Sequence, residues 1–167
     1  MIFHFVGKSG IEHSIEIDDP DVLPALDSLR KRRGGTERLL AYLSEKSWAD
    51  LDASAVNLYL SGMFEDLTAK DFRTWHATVI AAAALAVSEE PRDTKRSRQK
   101  AIKAAVLEVS EYLGNTPTIA RNSYIDPRVI DLYENGTTID PALVRKRHRS
   151  PAAKQRTLEM AVLELLS

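Results

Sequence analysis

The chain has 167 residues, 44% of them hydrophobic and 28% charged, which suits a folded core of ordinary size and argues against a disordered segment. It has no cysteine, so disulfides, thiolate zinc sites and cysteine nucleophiles are excluded. No apolar run approaches the length of a membrane span, and the start MIFHFVGKSG lacks the layout of a signal peptide. The net charge of -1 hides three basic clusters, at 30–33, 92–103 and 145–149, and a polyanion is read by such patches rather than by an average.

Residues 2–17 read as a β-hairpin. Ile11, His13, Ile15 and Ile17 alternate with Glu12, Ser14 and Glu16, the period of a half-buried strand, and Ile2 to Val6 is its partner. The turn Gly7-Lys8-Ser9-Gly10 puts Lys8 at the tip, with glycines able to take positive φ at both ends. A helix is expected over 20–32, broken by Gly34-Gly35. The stretch 36–50 reads as strand or helix. Asp52 can cap a helix to about Met63, and Thr68 a long one through Val87. On that long helix Phe72, Trp75, Val79, Ala83 and Leu85 or Ala86 are expected to face the core. The next helix, about Thr94 to Leu113, has Ile102, Ala105, Val106, Val109 and Leu113 as its apolar stripe and Gly114 as its stop. Thr116-Pro117, Asp126-Pro127 and Ser150-Pro151 each look like a cap followed by a first-turn proline. The last helix shows Leu158, Ala161, Val162 and Leu165 on one face. The expectation is a single domain over 1–167, mainly α with a small N-terminal β-hairpin (2–17) and a helical core (52–167).

The sequence contains no GxxxxGK[ST] phosphate loop, no paired-histidine spacing and no acidic cluster of the two-metal kind, so neither a cofactor nor a metal is expected. In Lys70-Asp71-Phe72-Arg73-Thr74-Trp75, inward-facing aromatics would leave Arg73 at the rim of the apolar face, with Lys70 one turn away on the same side. That suits a phosphate clamp and equally an ordinary amphipathic helix with rim charges. Asn115 sits at a helix-to-helix corner, where its amide can donate to an anion. Tyr124 ends a short helix; its phenol is either a packed side chain or, in a cationic pocket, a nucleophile.

Three motifs in this order, GKSG in a hairpin, KDFRTWHATV, and LGNTPTIARNSYIDPRVI, resemble the bacterial and poxvirus-type IB DNA topoisomerases over essentially the whole chain. The resemblance implies a catalytic core akin to that of tyrosine recombinases. It implies transient cleavage of one strand of double-stranded DNA, a 3′-phosphotyrosyl intermediate and resealing, without ATP or metal. Tyr124 in SYIDP then matches the nucleophile, and Lys8 in GKSG the donor of a proton to the leaving 5′-oxygen. Arg73 in KDFRTW matches an arginine on the non-bridging oxygens. Asn115 in GNTP stands where poxvirus-type members carry histidine. Lys70, Arg121, Arg96, Arg98 and Lys100 are expected as further DNA contacts, and a cytoplasmic, nucleoid-associated location is expected. The family also has an active-site arginine upstream of the hairpin lysine, which would come from a preceding segment or a second polypeptide. Two other readings share these residues. A tyrosine recombinase would show HxxR where Lys70-x-x-Arg73 stands, and a DNA-binding relative would keep the fold with an incomplete site.

Overall fold

A computed structural model describes all residues except 8, 9, 11, 36, 91 and 92. The chain divides into two compact units, Met1–Met63 and Phe64–Ser167. Among the described residues no helix is long and apolar enough to cross a membrane.

The first unit opens with the expected hairpin, β1 (Ile2–Val6) against β2 (Glu12–Glu16), with Phe3 opposite Ile15 and Phe5 opposite His13. Gly10, at φ 74, closes the turn by donating its N–H to the Gly7 carbonyl at 3.3 Å. Gly7 is not in the positive-φ region, so only one of the two glycines serves the turn by that route. Lys8, Ser9 and Ile11 lie outside the described residues. The alternating face is less covered than its pattern suggested: His13 and Ile17 are half-buried, but Ile15 is 46% exposed. The reason is local, because a two-stranded ribbon has little of its own to pack against. Helix α1 (Leu23–Lys31) follows. The ambiguous stretch resolves into a second hairpin, β3 (Ala41–Ser44) and β4 (Ser47–Asp50). Arg32 braces it, donating to the Leu29 and Leu39 carbonyls at 2.9 and 2.8 Å and lying 5.6 Å from the centre of the Trp48 ring. Asp52 caps α2 (Ala53–Met63), accepting from the Ala55 N–H at 2.8 Å.

The second unit is all helical: α3 (Ala69–Ala86), α4 (Lys95–Leu113), α5 (Pro117–Ser123), α6 (Pro127–Glu134), α7 (Pro141–Arg145) and α8 (Pro151–Leu166). Helix α3 is central, packing chiefly on α4 and also meeting α6, α7 and α8. Its alanines 77, 81, 82 and 86 are buried with Val79 and Leu85, and small residues let neighbouring helices approach closely. From α4 come Ile102, Ala105, Val106 and Val109, and from α8 Leu158 and Val162. Phe72 departs from expectation: it is 55% exposed, and the packed face of α3 begins one turn later at Trp75. The caps follow the sequence signals. Thr94, Thr116, Asp126 and Ser150 each accept from a first-turn N–H of their helix. Asp140-Pro141, carrying the same signal, starts α7, a short helix not anticipated above.

Candidate active site

Two chain corners in the second unit build the candidate site. The first joins α4 to α5. Gly114 adopts φ 64, and its N–H donates to the Glu111 carbonyl at 3.2 Å while that of Asn115 reaches back to Ser110 at 2.9 Å. This pair of bonds is the Schellman pattern, which needs a left-handed residue and therefore favours glycine. It fixes Asn115 between two helices. The Asn115 side-chain nitrogen is buried without a hydrogen-bond partner. A buried amide donor with nothing to donate to costs about 1–3 kcal/mol, so the corner holds an unused donor at a standing cost in stability.

The second corner, between α5 and α6, carries Tyr124. Its N–H closes α5 on the Ala120 carbonyl at 3.2 Å. The buried Thr78 of α3, 2% exposed, grips the corner from below. Its hydroxyl oxygen accepts from the Asp126 N–H at 3.0 Å and lies 2.8 Å from the Thr74 carbonyl and 3.4 Å from the Tyr124 carbonyl. A hydroxyl has one proton to give, and the shorter contact takes it. The grip on the corner is therefore the bond from Asp126. The Asp126 side chain caps α6 through the Arg128 N–H at 2.9 Å and pairs with the Arg128 guanidinium at 2.7 Å. The hydrogen bond from the Arg128 side chain, chiefly, holds the Asp126 carboxyl below its ordinary value.

Two cations flank the tyrosine. The Arg73 guanidinium carbon lies 5.4 Å, and the Lys70 ammonium 5.8 Å, from the centre of the Tyr124 ring. Tyr124 is half-buried against the core while both cations are exposed. Arg73 also donates to the Leu113 carbonyl at 3.0 Å. That carbonyl is one of those a helix end leaves unpaired, so the bond serves α4 and orients the guanidinium together. It uses one of five donors. Arg73 thereby links the end of α4, two residues before Asn115, to the Tyr124 ring. Its helix is anchored at the start by Asp71, whose carboxylate accepts from the Thr68 N–H at 2.8 Å and the Thr68 hydroxyl at 2.6 Å. Those two donors, the hydroxyl first, hold the Asp71 carboxyl below its ordinary value.

Of the residues singled out in the sequence, the structure thus brings together Tyr124, Arg73 and Lys70, beside the corner that holds Asn115. Arg121 is exposed in the last turn of α5. Arg96, Arg98 and Lys100 belong to the first turns of α4, about 20 Å along the helix axis from its Asn115 end. Lys100 is paired there with Glu90 at 2.6 Å. Lys8 lies outside the described residues. Thr78 was missed. The signal was present, a hydroxyl in the middle of an alanine-rich apolar face, since a buried polar group in such a place is usually bonded to something that matters. Among the described residues no three His, Asp or Glu side chains are grouped to hold a metal ion.

The sequence profile of the eukaryotic DNA topoisomerase I catalytic core matches residues 1–140. A DNA topoisomerase 1 of Daucus carota is 32% identical over 78 residues, which are 46% of this chain and 9% of that protein. The chain therefore spans only a small part of that relative's length. The profile, however, runs from the first hairpin through both corners of the site, and the chain belongs to the DNA topoisomerase I catalytic-core family, the type IB class.

Proposed function

We propose that the chain is a catalytic-core protein of a type IB DNA topoisomerase of the bacterial and poxvirus kind, with Tyr124 as nucleophile. The observation that carries this is the pairing of Arg73 and Lys70 on one tyrosine, at a corner tied to the buried helix α3. In the reaction, the Tyr124 oxygen attacks a backbone phosphorus and gives up its proton. The new P–O bond to tyrosine forms as the bond to the 5′-oxygen breaks, and the leaving oxygen takes a proton from Lys8. Extra negative charge on the non-bridging oxygens is met by Arg73 and by the unused Asn115 amide. Donors already in place at developing charge are the largest usual source of rate enhancement. The 5′-hydroxyl later attacks the phosphotyrosine and restores the strand, so one P–O bond is exchanged for another and no ATP is needed. Rotation of the free end between the two steps would relax supercoils. The further arginine implied by the family resemblance would complete the charge around the phosphate.

The test is a nicked, labelled duplex whose cleaved 5′ fragment diffuses away, incubated with the chain without ATP and in EDTA, then run on a denaturing gel. It is repeated with an added polypeptide carrying the upstream arginine. A covalent adduct at the 3′-phosphate is expected with the native chain and none with Tyr124→Phe. An adduct surviving in the phenylalanine variant would remove Tyr124 from the role. Binding of duplex without any adduct, in both formats, would favour the non-catalytic DNA-binding reading.

A further inference from the structure

The three basic clusters have different fates in the structure. In the first, Arg30 and Lys31 are both held by Asp27, the former at 2.8 Å, and Arg32 is spent on backbone carbonyls and Trp48. In the second, Lys100 is paired with Glu90. The third has no acidic partner at all among the described residues: Arg145, Lys146, Arg147 and Arg149 are exposed and enter no ion pair. No acidic residue occurs between Pro141 and Leu158, while Lys154 and Arg156 add two more cations.

This corner is also held in shape. The Lys146 N–H donates to the Ala142 carbonyl at 3.0 Å, ending α7. A ring nitrogen of His148 lies 2.9 Å from the Leu143 carbonyl. The Ser150 hydroxyl accepts from the Ala153 N–H at 3.1 Å, starting α8. The cations thus project from a backbone fixed on both sides, and the positive end of the α8 dipole lies next to them. On the inner side, Gln155 of α8 approaches His76 of α3 at 3.5 Å, one helical turn beyond Arg73. The corner therefore stands beside the stretch of α3 that serves Tyr124.

We propose that the 145–149 corner is a second phosphate-binding surface, which grips the backbone of the same double-stranded DNA a short way from the scissile bond. It rests on the functional reading above, since that reading supplies the duplex. Exposed, unpaired cations lose little hydration or ion pairing when they meet phosphate, whereas Arg30 and Lys31 would first have to leave Asp27. The patch carries no aromatic or amide side chain to read base edges, so its grip is independent of sequence and acts through counterion release.

The test compares two charge-matched double variants, Arg147→Gln/Arg149→Gln and Arg30→Gln/Lys31→Gln, in the full chain. Anisotropy of a labelled duplex is measured across a salt series. The corner variant should flatten the salt slope by about 2, near 0.9 per lost contact, with weaker binding at low salt. The control should move far less. Equal losses in both, or no loss in the corner variant, would overturn the proposal. So would a corner-dependent preference for phosphatidylserine-rich vesicles or poly-glutamate over the duplex. Because binding is read without cleavage, absence of any covalent adduct would strike the catalytic reading alone. An adduct formed by a protein whose corner contributes nothing to binding would strike this one alone.

Discussion

Arg73 and Asn115 show how a single side chain can be worth more to chemistry than to the fold. Arg73→Ala should slow single-turnover cleavage by roughly 10²–10³-fold, the usual cost of one pre-organised donor. The helix should keep its place, because alanine is the better helix former and only the bond to Leu113 is lost. Arg73→Lys should recover little, since an ammonium lacks the fork that serves a carbonyl and a phosphate together. An unchanged cleavage rate in Arg73→Ala would return that residue to a rim charge. Asn115 makes the complementary case. Its amide is buried and unpaired, so Asn115→Ala removes a polar burial cost and should leave the melting temperature unchanged or raised while cleavage slows. Differential scanning fluorimetry beside single-turnover cleavage checks this, and a clear loss of melting temperature would mean that the amide has a structural partner.

Among the elements, helix α3 organises the site, presenting Lys70 and Arg73 at its first turns and Thr78 deeper in. Thr78→Val keeps the shape of the side chain but strands the buried Asp126 N–H, which should cost about 1–3 kcal/mol. It should also slow cleavage beyond what lost stability explains, with Thr78→Ser restoring both. Single-turnover rates measured well below the melting temperature of each variant separate the two effects. The start of α3 and of α6 are both pH-dependent. Asp71 and Asp126 have carboxyl groups held below their ordinary values in the folded chain. The stability they contribute is therefore present above about pH 4 and lost as pH falls through the depressed values. Melting temperatures followed down to about pH 3 should fall less steeply for Asp71→Asn/Asp126→Asn than for the native chain. The elements were largely legible in the sequence because caps, prolines and Gly114 are local signals. The stretch 36–50 was not, since its strands are four residues each, too short for period to separate strand from helix. Phe72 misled because periodicity gives a face without saying where along the helix its packing begins. Tyr124, Arg73 and Lys70 meet through long-range packing, which spacing alone left undecided. Thr78 was invisible until the corner that it holds was in view.

At the scale of the molecule, burial is uneven. Every member of the buried hydrophobic cluster, from Ala77 to Val162, belongs to the second unit. In the first unit the buried hydrophobic residues among those described are Leu26 and Ala41, each 7% exposed. Two-stranded sheets of this kind are marginal alone. A fragment 64–167 should therefore be helical by circular dichroism and melt cooperatively, whereas 1–63 alone should show little cooperative unfolding. A sharp melt of 1–63 would show that the hairpins and two helices make a sufficient core of their own.

The Thr78 hydroxyl has a mechanical consequence as well. In the proposed intermediate one DNA strand hangs from the Tyr124 oxygen while the other end turns. Any pull on that strand enters the protein at one residue. Its backbone is tied on one side to Ala120 and on the other, through the Asp126 N–H, to α3. The load then runs into the most deeply packed helix of the unit rather than into a surface loop. A tyrosine anchored in this way can swing about its own side-chain bonds without dragging its corner along, which is what a tether on a rotating duplex requires.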